Sequence, residues 1–76
     1  MATQIETLVR MLNQISANLS AYPTDEAAMR AAEHMQRFWA PQMRQQLIDE
    51  AEQEELSLIS KMAVEKLLEV MPRKAS

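Results

Sequence analysis

Residues 3–19, TQIETLVRMLNQISANL, carry two helical signals at once. Thr3 stands three positions before Glu6, the spacing of a capping box. In that motif the threonine hydroxyl accepts from the Glu6 amide while the carboxylate reaches back. Apolar residues then recur at Ile5, Leu8, Val9, Leu12, Ile15 and Leu19. At about 100° per residue these fall in an arc of roughly 120°, the width of a stripe that faces a core. Glu6, Thr7, Arg10, Gln14 and Asn18 lie outside the arc. The spacing therefore predicts an amphipathic helix. Tyr22-Pro23 is expected to end it, because the residue before proline is driven out of the α region.

The same grammar continues downstream. A second helix is expected from Thr24 or Asp25 as cap, with acidic residues in its first turn where the dipole favours them. Ala28, Ala31, Ala32, Met35, Phe38 and Trp39 share one of its faces. Three alanines in that face would let a neighbouring helix come close. Glu26 with Arg30, and Glu33 with Arg37, are i,i+4 pairs that mark the solvent side. Pro41 suits the first position of a third helix, where its missing amide costs nothing. That helix has only Met43, Leu47, Ile48 and Ala51 as apolar residues, and DEAEQEE (49–55) reads as its solvated end or a short linker. A fourth helix is expected from a cap at Ser57 to about Val70, with Pro72 stopping it. Its apolar residues, Leu56, Ile59, Ala63, Val64, Leu67, Leu68, Val70 and Met71, cover roughly half the circumference. Such a helix is either sandwiched between neighbours or partly covered by another protein. The reading is an all-α bundle of three to four helices in a single domain spanning 1–76.

Composition narrows function further. The chain has no glycine, which argues against hairpins, phosphate-cradling loops and dinucleotide fingerprints. It has no cysteine, which excludes disulfides, thiolate metal sites and cysteine nucleophiles. Eleven acidic residues against eight basic ones leave a net charge of −3, a balance that argues against nucleic acid. No apolar run is long enough to span a bilayer, and MATQIETLVRM lacks the pattern of a secretory signal, so a cytoplasmic location is expected. With 76 residues and no disulfides, the core supplies little stability, and association with a partner is a natural expectation.

The chemistry available is sparse. His34 is the one histidine, and a catalytic role would need a nucleophile or oxyanion donor that the sequence does not offer. It reads as a structural or interface histidine at the edge of the apolar stripe. Glu33 and His34 are adjacent and point roughly 100° apart on a helix, a poor pair for a metal. The acidic run at Glu50, Glu54 and Glu55 reads as solvated, so no metal and no cofactor is expected. Phe38-Trp39 before a proline admits two readings. Large aromatics fill the core where helices diverge. Alternatively Trp39, with Met43 and Arg44, anchors a binding surface, where such residues are enriched.

The stretch HMQRFWAPQMRQQL, residues 34–47, resembles the signature of the small delta subunit of NAD-dependent formate dehydrogenases. The residues concerned are His34, Met35, Phe38, Trp39, Ala40, Pro41, Met43 and Arg44. LVRMLNQISANL is similar to that family's first helix, with Leu8, Val9, Arg10, Met11, Asn13, Gln14 and Ile15 in step. The resemblance covers residues 5 to 48. Ala40 departs from it, standing where the family often has an aspartate that would cap the third helix. No glycine-containing turn of the kind many relatives carry follows Ile48, so residues 49–76 are expected to differ in path.

The resemblance implies a non-catalytic accessory subunit of a cytoplasmic, molybdenum- or tungsten-dependent enzyme passing electrons from formate to NAD. The metal centre, iron–sulfur clusters and flavin would belong to larger subunits. This chain would bind the large catalytic subunit, stabilising it or helping insertion of its molybdopterin. His34, Phe38, Trp39, Pro41, Met43 and Arg44 are the expected partner-binding residues. Phe38 is expected to pack inward, Trp39-Ala40-Pro41 to set the corner, and Met43-Arg44 to be displayed beyond it. The competing expectation is a self-associating helical protein whose excess apolar surface is buried in a homodimer.

Overall fold

A computed structural model describes residues 3–70, the side chain of Val70 excepted. The expected stop at Pro72 and the place of Met71 lie outside the described residues. Four α-helices and one short 3₁₀ turn make up that stretch: α1 (Gln4–Asn18), α2 (Thr24–Phe38), α3 (Pro41–Glu50), the turn Gln53–Glu55, and α4 (Leu58–Val70).

Thr3 caps α1, its hydroxyl accepting from the Glu6 amide at 3.2 Å. The reciprocal half of the box differs from expectation, because the same hydroxyl donates to Glu6 Oε1 at 3.1 Å. The helix also ends earlier than Pro23 alone requires. The Leu19 amide is shared between the Ile15 and Ser16 carbonyls, and Ser20 and Tyr22 bond back to Ala17 and Leu19. No described residue takes a positive φ. Without glycine, the chain leaves the helix through tightened i→i−3 bonds rather than a left-handed cap.

Neither Thr24 nor Asp25 caps α2. Pro23 holds the cap position with extended backbone, its carbonyl accepts from the Ala27 amide at 2.8 Å, and no side chain closes the end. Proline's fixed φ takes the chain straight into the helix, so Thr24 and Asp25 fall inside the first turn. At the other end, Trp39 and Ala40 are both extended, as the residue before a proline must be, and Pro41 opens α3. Ala40 gives that helix no side-chain cap. The acidic run serves as both helix end and linker, since Asp49 and Glu50 close α3 while Glu54 and Glu55 sit in the 3₁₀ turn. Ser57 caps α4, its hydroxyl accepting from the Ser60 amide at 3.3 Å.

The core gathers Leu8, Val9 and Leu12 from α1, Ala31 and Met35 from α2, Trp39, Leu47 from α3, Leu56, and Ala63, Val64 and Leu67 from α4. The most extensive helix pairing is α2 with α4. Ala27, Ala28 and Ala31 are fully buried, and side chains this small let the axes approach closely. Each fully buried leucine adds roughly 1.5–3 kcal/mol of transfer free energy, so Leu8, Leu12, Leu47 and Leu67 anchor all helices but α2. The wide apolar face of α4 is only partly covered, leaving Leu68 exposed, and Leu58 is exposed outside that face.

A polar seam fixes the start of α4 against α1. Asn13 donates from Nδ2 to the Glu55 carbonyl at 2.8 Å. Its Oδ1 accepts from the Ser57 amide at 3.0 Å and from Ser60 Oγ at 2.8 Å. Ser60 Oγ also lies 2.9 Å from Ser57 Oγ and 2.7 Å from Ser16 Oγ. The single Ser60 proton goes to Asn13, so both serines must donate to Ser60 and fill its two lone pairs. Ser16 and Ser60 are buried, and this closed network is what lets them be.

Candidate functional site

The last turn of α2 presents His34 and Phe38 one turn apart, with ring centroids 4.8 Å from each other and planes tilted by 44°. Phe38 is 72% exposed, which corrects the expectation that it packs inward. The helix stops at Phe38, and Trp39 leaves it with extended backbone. That turn carries the indole into the core, where Trp39 is only 5% exposed and fills the place expected for Phe38.

Trp39 nonetheless reaches the surface from below. With His34 from α2 and Arg10, Met11, Gln14 and Ile15 from α1, it lines an open, mainly apolar recess of about 370 Å³. The two readings of the aromatic corner therefore divide between its residues: Trp39 is core and forms part of the recess wall, while Phe38 stands in solvent beside it. A smaller recess next to it, of about 210 Å³, is lined by Arg30, Glu33, His34, Arg37 and Phe38.

Of the six residues expected to meet a partner, His34, Phe38 and Trp39 come together here. Pro41, Met43 and Arg44 line neither recess. Pro41 is exposed at the start of α3, and Met43 is half-buried against the core. Arg44 turns back onto α2 rather than being displayed. Its Nη1 donates to the carbonyls of Met35 at 3.2 Å, Gln36 at 3.0 Å and Trp39 at 3.1 Å. A guanidinium on these carbonyls meets the negative end of the helix dipole and closes a terminus that no glycine caps.

The α1 wall of the recess was not among the expected site residues. Met11 offered a signal, because it is apolar yet falls outside the helix's core-facing arc, and it is 39% exposed. The arginines also separate into two pairs. Arg30 is bound to Glu26 at 2.9 Å and lies 4.2 Å over the Tyr22 ring, and the Glu26 hydrogen bond raises its pKa. Arg44 is committed to the α2 carbonyls. Arg10 and Arg37 have no such role: among the described residues the one ion pair is Arg30–Glu26, and the expected Glu33–Arg37 pair does not form. Exposed pairs of this kind contribute little, so nothing compels the closure. No three His, Asp or Glu side chains among the described residues converge as a metal site. No described helix is long and apolar enough to cross a membrane.

The family model described as NADH-dependent formate dehydrogenase delta subunit, FdsD, matches residues 7–64. The chain belongs to this delta-subunit family. No curated protein and no solved structure matches it. The delta-subunit match takes in both walls of the recess, the Trp39–Pro41 corner and all of α3. It runs beyond Ile48, where the sequence resemblance was expected to stop, and reaches Val64 in α4. The seam joining Asn13 and Ser16 to Ser57 and Ser60 thus lies wholly within the delta-subunit segment.

Proposed function

We propose that this delta subunit is a non-catalytic accessory protein that binds the large catalytic subunit of a cytoplasmic, molybdenum- or tungsten-dependent, NAD-linked formate dehydrogenase. The contact is the recess between α1 and α2, with Phe38 at its edge. One observation carries this reading. The two stretches that resemble the family, on α1 and around the aromatic corner, meet in three dimensions at a partly apolar surface with an unburied phenylalanine. Leaving such a ring in water forgoes roughly 1.5–3 kcal/mol that a partner's surface could recover. An accessory rather than catalytic role is supported by the match to a family described as a delta subunit of the dehydrogenase.

Binding would stabilise the catalytic subunit or assist insertion of its molybdopterin. The test is co-expression of the catalytic subunit with and without this chain, followed by co-purification and measurement of bound metal. Lower yield at unchanged metal content per subunit indicates stabilisation. Unchanged yield at lower metal content indicates an insertion role. A catalytic subunit that neither retains this chain nor changes in its absence refutes the proposal. A tight dimer in sedimentation, with no affinity for the dehydrogenase, would favour self-association instead.

A further inference from the structure

We infer that the recess takes an apolar segment of the catalytic subunit that carries carboxylates on both sides, received by Arg10 and Arg37. This deepens the reading above and rests on it. The argument comes from how the four described arginines are used. Arg30 is occupied by Glu26 and Tyr22, and Arg44 by the last carbonyls of α2. The remaining two are exposed and line adjoining recesses that share His34, one mainly apolar and one mixed. Arg10 stands on the α1 wall, and Arg37 lies beyond His34 and Phe38 on α2.

An exposed arginine alone needs no explanation. Here Arg10 lies with Met11, Ile15 and Trp39 in one recess, Arg37 lies with Phe38 in the next, and His34 joins the two, so a segment laid across both would meet apolar side chains and two uncommitted cations. The chain carries a net charge of −3, but its acidic residues are not spread evenly. Five of the eleven fall between Asp49 and Glu55, from the end of α3 through the 3₁₀ turn. Glu6 and Glu55 share a separate groove with Arg10, and Glu33 lies beside Arg37, yet none forms an ion pair with either. Charge complementarity therefore favours an occupant that brings its own carboxylates. The apolar side chains make up the binding area, and the arginines set register and encounter rate.

The test compares three forms of the full chain for capture of the catalytic subunit. Arg10→Glu/Arg37→Glu reverses both cations. Lys61→Glu/Lys66→Glu makes the same charge change on α4, outside both recesses. The arginine variant is expected to bind at least about tenfold more weakly, and wild-type binding to weaken several-fold from about 50 to 500 mM salt, while the α4 variant binds as wild type. Circular dichroism confirms that each variant is folded. Equal binding by all three forms overturns the inference and leaves the accessory role standing. Equal loss in both variants also overturns it, because net charge rather than the two arginines would then govern. Failure of the wild-type chain itself to bind refutes the proposed function.

Discussion

Replacing Arg44 with methionine removes three hydrogen bonds that one guanidinium nitrogen makes to the end of α2. Nη1 has two protons and three acceptors, so at least one proton is shared, and the bonds are weaker than three independent ones. Two of the three involve partly buried carbonyls and one is exposed. At about 1 kcal/mol each, with the favourable charge at a helix C-terminus included, the loss is about 3 kcal/mol. Against this stands Arg44 Nε, which among the described residues is the one buried side-chain polar atom without a partner. Methionine keeps the stem and deletes that orphan, returning about 1 kcal/mol. The net destabilisation is about 2 kcal/mol, a fall in Tm of roughly 8–16 °C for a domain this small. Thermal melts followed by circular dichroism and by fluorescence of Trp39, the sole tryptophan and itself one of the acceptors, report the change directly. A melting point within about 2 °C of wild type would refute the assignment of Arg44 as the clamp of the corner.

Ser60→Ala leaves Ser16 buried without a partner and is expected to cost about 1–3 kcal/mol in urea denaturation, whereas adding Ser16→Ala should cost little more, giving a strong coupling in the double-mutant cycle. Ala31→Leu forces methylenes into the fully buried face of α2 and is expected to lower stability by about 1–3 kcal/mol, read by the same denaturation. Phe38→Ala, at an exposed ring, is expected to leave stability within about 0.5 kcal/mol while weakening capture of the catalytic subunit; a large loss of stability would place Phe38 in the fold rather than at a contact.

Periodicity and punctuation made the helices legible. The stripe of α1, the cap at Ser57 and Pro41 at the start of α3 each follow from local rules, and the structure meets them. What was not legible depends on contacts distant in sequence. Ser16 falls inside the angular range of the α1 apolar stripe, a hint that it is buried, but its partner lies 44 residues away. Arg44 read as a displayed side chain because nothing local shows that α2 ends without a cap of its own. Phe38 and Trp39 were read together, and only the extended backbone at Trp39 separates an inward indole from an outward phenyl ring. The α1 half of the site was hidden for the same reason: Met11 becomes a wall only when α2 lies beside it.

The pairing of α2 with α4 has a consequence for how the protein is made. During synthesis, α1, α2 and α3 emerge from the ribosome before the helix that covers the alanine face of α2. Until α4 follows, that face has no mate and Asn13 and Ser16 lack their partners Ser57 and Ser60. Joining α4 to α2 closes a longer loop than joining neighbouring helices, which raises its entropic cost by about 1 kcal/mol. Among the described residues α4 contributes none to the recess, yet it covers the alanine face of the helix that forms one of the recess walls.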